Sequence, residues 1–243
     1  NLRLNQIGVV AGLRGDTLSI NRMTGQLAGG GSVSASGTIG LAGSLPANLS
    51  IQLANATYSD GSTIRTTLNG DLAVSGGLTA GPLISGRIDL LGTEITIPET
   101  LSGDADLIEV DHVDPDRGTL ATLRRIQAVL PKDAGSGPQA PVRLDVTLNS
   151  PNRIFVRGRG IDAELGGQLR VVGPLNNLQP VGAFTLIRGR LSILNKNLRL
   201  TEGRITMTGS LDPLIDLSAE VSGDDIVATV RLYGRASDLS LDL

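Results

Sequence analysis

From Val142 onward the chain is a succession of short alternating runs. Val142, Leu144, Val146 and Leu148 are apolar, with Arg143, Asp145, Thr147 and Asn149 between them. The beat returns at Ile161/Ala163/Leu165, Leu191/Ile193, Leu198/Leu200, Ile205/Met207 and Leu217/Ala219/Val221. A period of two predicts β-strands with one apolar face and one wet face. Residues 1–100 carry the same rhythm at Val33/Ala35, Leu49/Ile51/Leu53, Ile64/Thr66/Leu68, Leu72/Val74, Ile84/Ile88/Leu90 and Ile95/Ile97.

Breaks fall at Gly29-Gly30-Gly31, Ser59-Asp60-Gly61, Asn69-Gly70, Gly76-Gly77, Gly158-Arg159-Gly160 and Gly166-Gly167, all read as turns. At one strand per roughly 10–12 residues the chain would hold about 18–20 strands. In a single continuous sheet these would extend on the order of 90 Å, and in two stacked sheets about half that. One helix interrupts the pattern, at about 119–130. There Leu120, Leu123, Ile126 and Leu130 share a face, Asp116 or Thr119 caps the start and Pro131 ends it. This divides the chain into a β-rich segment 1–118, the helix with a Pro/Gly loop over 119–141, and a second β-rich segment 142–243.

Composition sharpens the picture. Hydrophobic residues make up 40%, so a folded chain is expected, yet aromatics are only 2%. The apolar surface is therefore almost wholly Leu, Ile, Val and Ala, which suits a long uniform lining or contact with alkyl chains rather than a compact core built on rings. The 32 glycines follow no collagen period. The net charge of −3, with arginines scattered rather than clustered, gives no footprint for nucleic acid. Absence of cysteine removes disulfides, thiolate metal sites and Cys nucleophiles. No run approaches the ~18 apolar residues a membrane-spanning helix needs. The chain opens mid-pattern at Asn1 and stops mid-pattern at Leu243, and reads as a segment of a longer protein.

Candidate chemistry is sparse. The acidic stretch Asp104–Asp116 lacks the spacing of a calcium loop, and His112, the single histidine, has no partner set. Outward positions are Thr, Asp, Arg and Ser without convergence, so neither an enzyme nor a cofactor is expected. Arg157, Arg159, Arg188, Arg190, Arg199 and Arg204 read as residues of a solvated outer face in preference to a rim for lipid headgroups.

The stretch from Asn152 through Arg153-Ile154-Phe155-Val156-Arg157 to Gly167 resembles the C-terminal region of the TamB family, large bacterial envelope proteins related to the AsmA-like group. The resemblance continues through Gln168–Gly173, Pro180–Gly182, Phe184–Arg190, Leu200–Thr206 and the Leu211-Asp212-Pro213 turn. It is specific over about 142–243 and only general over 1–118, where the rhythm is shared without a diagnostic motif. It implies an all-β fold: a long curled sheet, the open "β-taco" trough with an apolar interior. It implies a periplasmic protein of a diderm bacterium, with an inner-membrane anchor outside this segment and a TamA-like outer-membrane barrel as partner. Phospholipid is the implied cargo. The expected lining is Leu144, Val146, Leu148, Ile161, Leu165, Leu169, Val171, Phe184, Leu186, Leu191, Ile193, Leu198, Leu200, Ile205, Met207, Leu217 and Val221, with Phe184 as the one bulky residue able to narrow it. Alternation alone fits equally well the packed core of a closed β-sandwich or β-helix. A different role, an assembly chaperone that takes up client strands at a free sheet edge, fits the same pattern.

Overall fold

A computed structural model describes residues 3–98, 140–193, 196–222 and 227–242. Those residues form thirteen strands and no helix. In the first half they are β1 (Leu4–Arg14), β2 (Thr17–Leu27), β3 (Ser32–Gly40), β4 (Pro46–Ser59), β5 (Ile64–Gly77) and β6 (Leu83–Thr96). In the second they are β7 (Arg143–Gly158), β8 (Ile161–Pro174), β9 (Gln179–Ile193), β10 (Lys196–Thr208), β11 (Leu214–Ser222), β12 (Val227–Arg235) and β13 (Asp238–Asp242). All belong to one open, curled sheet in which spatial order equals chain order. Twelve neighbour spacings of ~4.8 Å give about 60 Å measured along its curve.

Every neighbouring pair is antiparallel except β6 and β7, which run parallel from Leu83↔Arg143 to Thr96↔Arg157. The two β-rich segments thus join edge to edge in a single sheet. The expected helix at 119–130 and the acidic stretch with His112 lie outside the described residues, as does most of the expected loop.

Strands are fewer and longer than the glycine pattern predicts. Ser59-Asp60-Gly61, Gly76-Gly77 and Gly158–Gly160 do end strands, but Asn69-Gly70 and Gly166-Gly167 lie inside β5 and β8. The physical reason is that a glycine within a strand serves a kink or close backbone approach as readily as a turn. A Cβ on Gly166 would sit 2.1 Å from the Pro151 carbonyl oxygen of β7. Gly182, mid-strand in β9 with φ of 146°, would place one 2.3 Å from the carbonyl oxygen of Gln168.

Register shifts recur at Leu53/Ala56, Thr67/Leu68, Asp89/Thr93, Ser150/Ile154, Glu164/Leu165 and Leu200/Glu202. Matched through the pairings, these bulges fall on one line crossing β4 to β10. Each bulge bends its strand and adds twist, so the line is a crease along which the sheet curls. Asn55 and Arg153 take left-handed φ of 49° and 69° there. The interrupted ladder is repaired by side chains. Asn69 Oδ1 accepts from the Asn55 amide (2.8 Å), Glu164 Oε1 accepts from the Arg153 amide (3.3 Å), and the Ser150 hydroxyl donates to the Asn152 carbonyl (2.8 Å). The hydroxyls of Thr185 and Thr201 donate to the carbonyls of Gly166 and Ser218.

Candidate functional site

Paired residues in a sheet project to the same side, so register assigns the faces. Starting from Leu144↔Gly173, Val146↔Val171 and Leu148↔Leu169, one side continues through Ile161↔Leu191 and Leu165↔Leu186. It goes on through Leu198↔Leu191, Ile205↔Phe184, Gly203↔Leu217 and Leu217↔Leu232. Met207 pairs with Gly182, Leu200 with Ala219, Ile193 with Lys196 and Val221 with Ala228. The register therefore brings all seventeen expected lining positions to one face. Val146, Leu165, Leu169, Leu198 and Leu200 are buried there. Leu144, Leu148, Ile161, Val171, Phe184, Leu186, Leu191, Ile205, Met207 and Leu217 are half-buried.

The same face crosses the parallel joint through Ile84↔Leu144 and Ile88↔Leu148. In the first half it includes Leu18, Ile20, Val33, Leu49, Ile51, Leu53, Leu68, Leu72 and Val74. Lys196, at the start of β10, is its one charged member among the described strand residues. Polar exceptions cluster near the crease. Thr66 and Thr93 face each other with hydroxyl oxygens 2.7 Å apart, and Ser150 is fully buried.

Sequence reasoning left Ile154, Val156, Ile215, Ala219 and Val230 out of the lining. Ile154 and Val156 were obscured by the apolar Phe155 between them, which lies on the opposite face beneath Arg157, whose guanidinium carbon is 5.2 Å from the ring centroid. A usable signal was present. The apolar positions change parity between Leu186 and Leu191, and again between Leu200 and Ile205, the signature of one-residue bulges at Ile187 and Thr201.

The other face is polar and laced by ion pairs. Arg170 grips Asp145 bidentately (2.8 and 2.9 Å), and Arg231 holds Asp216 likewise (2.9 and 2.8 Å). Glu94, Arg157, Asp162 and Arg190 form a chain of contacts from β6 to β9, and Arg188 pairs with Glu164 at 2.7 Å. Arg199 meets Glu220 at 3.6 Å. Arg157, Arg188, Arg190 and Arg199 are thus solvated, carboxylate-paired residues of the outer face. Hydrogen bonds from Arg170 and Arg231 hold the carboxyls of Asp145 and Asp216 below the usual aspartate range. Arg87, with Asn149, does the same for Asp89.

Such an arrangement separates one continuous aliphatic surface from a charged, water-facing one, and offers apolar contact along the whole sheet.

The comparison with known families accords with this architecture. Residues 21–243 match the model of the TamB C-terminal domain. The match reaches well into the first half, beyond the region where the motifs were specific. Proteins of this family belong to the bacterial envelope, serve its translocation and assembly module, and act with TamA-like partners. Among the described residues no helix is long and apolar enough to cross a membrane. The aliphatic face carried by thirteen sequentially ordered strands is accordingly that of a TamB-type sheet, and the chain belongs to the TamB family.

Proposed function

We propose that the aliphatic face is a conduit for phospholipid acyl chains, carrying lipid through the periplasm between the inner and outer membranes without catalysis or cofactor. The observation that supports it is continuity: one aliphatic, aromatic-poor face, charged only at Lys196 among the described strand residues, runs through every strand, and much of it in β2–β6 is half-exposed. Moving a diacyl lipid through water exposes its chains at ~0.8 kcal/mol per CH₂, on the order of 20 kcal/mol in all. A uniform aliphatic surface removes most of that barrier. The similar chemistry of its aliphatic side chains keeps any single position from trapping the lipid.

The test is site-specific photocrosslinking in living cells with the full-length protein. Probes go at Ile51, Leu53 and Leu72 on the apolar face, with outward controls at Gln52 and Asp71. Phospholipid captured at the apolar positions only is the expected result. Lipid captured equally at Gln52 and Asp71, or nowhere, sinks the conduit.

One observation favours a second reading, a scaffold that accepts strands from outer-membrane proteins. Among the described strands β1 pairs on one side alone, is exposed along its whole length and carries Ile7, Val9, Val10 and Leu13 with 55–66% of their surface accessible. An edge of this kind offers unpaired backbone groups to an incoming strand. Val9→Pro would impair that role and leave lipid capture intact, whereas Leu72→Arg would do the reverse.

A further inference from the structure

The two halves of the apolar face are packed differently, and glycines mark where. Above Gly189 of β9, Leu200 from β10 leans across toward Ala163 of β8. A methyl group at Gly189 would lie 2.7 Å from Leu200 Cδ1 and 3.0 Å from Ala163 Cβ. Above Gly203 of β10, Leu217 from β11 and Leu186 from β9 meet in the same way, 2.7 and 2.9 Å from such a methyl. Ala163, Leu198, Leu200 and Ala219 form a closed cluster with 2–7% of their surface accessible, and Ile161, Leu186, Leu191 and Val230 pack against it. At these four residues the face is covered by neighbouring side chains and leaves little surface for an acyl chain, while Ile161, Leu186, Leu191 and Leu217 around them stay half-buried. Glycines also occur on this face in the first half, but Gly70 is approached more loosely, by Leu53 at 3.3 Å and Ile88 at 3.6 Å. The large aliphatics around it stay half-exposed.

We propose that Leu200 over Gly189, and Leu186 with Leu217 over Gly203, form a constriction that sets the bore of the groove. Resident acyl chains then occupy the β2–β6 half, and lipid passes β8–β12 only when these leucines swing aside. This rests on the conduit reading. It names alkyl chains as the occupant because the open half offers aliphatic contact and no charge. The glycines give the leucines their seats, and the small Ala163 and Ala219 let them lie flat against the floor. A larger residue at any of the four would lift the leucines into the groove.

The test places the probe on the lipid, so that the wild-type protein carries no label. Cells take up a fatty acid with a diazirine in the chain and build it into phospholipid, and adducts on the full-length protein are mapped by peptide mass spectrometry after illumination. Adducts should fall on β2–β6 peptides about tenfold or more in excess over β8–β12, the factor that losing roughly two buried methylenes gives. Leu200→Ala and the milder Leu200→Val should raise the β8–β11 share. Equal adducts in both halves of the wild type would overturn the constriction and leave the conduit standing. No adduct in either half would overturn the conduit itself. Should Leu200→Val fold, by its circular dichroism, and leave the map unchanged, Leu200 does not set the bore.

Discussion

Strands β2–β6 and β7–β12 share length, alternation, bulges and a continuous apolar face, yet they bury that face to different degrees. Below one-tenth exposure, the first half contributes mainly Ala47 and Ala56, with Leu27 and Val74 at the limit. The second half contributes Val146, Ile154, Leu165, Leu169, Leu198 and Leu200. Both halves have the same kind of residue available, so hydrophobicity does not separate them. What differs is where glycine and alanine fall relative to leucine. Gly189 and Gly203 sit directly beneath leucines of the neighbouring strands, Ala163 and Ala219 lie in the same cluster, and the side chains there cover the face. Without such seats the same leucines remain half in contact with solvent. In a single-layer sheet, then, small residues decide whether an apolar face is a core or a surface.

The largest expected effect tests the backbone kinks that curl both halves. Gly182→Val puts a branched side chain on a residue at φ 146° and against the Gln168 carbonyl. It should cost about 3 kcal/mol or more, through strain plus lost pairing. Gly12→Ala in β1, where a Cβ meets nothing within 4 Å, should be neutral. Urea denaturation of the two variants gives the contrast. If Gly182→Val is tolerated like Gly12→Ala, the kinks do not shape the sheet.

Side-chain truncation probes the halves directly. Leu165→Ala, at 4% exposure in β8, should lose about 2–4 kcal/mol, whereas Leu53→Ala in β4 should lose about 1 kcal/mol. Equal losses would mean that the first half is covered in solution. Hydrogen exchange sharpens the same point without mutation: β7–β9 amides should be protected longest, and β1 and β13, exposed throughout, should exchange first.

At the crease the expected effect is smaller. Thr66→Val leaves Thr93 buried with its hydroxyl partner removed, at a cost of about 1–2 kcal/mol. The double replacement of Thr66 and Thr93 by Val should recover much of that loss, a cycle read out by thermal unfolding.

The smallest effect belongs to the outer face. Asp145 and Asp216 have pKa values depressed by their bidentate arginines. Their stabilisation is complete above the ordinary aspartate pKa near 4 and is lost as pH falls through the depressed values. Both are solvent-exposed, so the acid-side drop should be slight and weaken further in high salt. A steep loss of stability at pH 5–6 would point to some other titrating group.

Much of this was written in the chain. Period-two alternation fixed an all-β sheet, and the changes of parity at Ile187 and Thr201 kept the lining residues on one face through the bulges. Phe155 misled because a lone outer-face aromatic beneath an arginine looks, in sequence, like part of an apolar run. Gly70, Gly166 and Gly167 misled because a strand uses glycine where a neighbour comes close as readily as a turn uses it for backbone freedom.

What the sequence by itself determined is therefore local: which residues extend, and which side of the strand is apolar. It could not determine that β6 meets β7 in parallel across the stretch 97–142, since pairing between distant strands follows from the whole sheet's register and not from either strand alone. Nor could it tell the half that closes over its own leucines from the half that stays open. That outcome depends on which small residue in one strand comes to lie under which large one in the next, and only the tertiary structure sets that alignment.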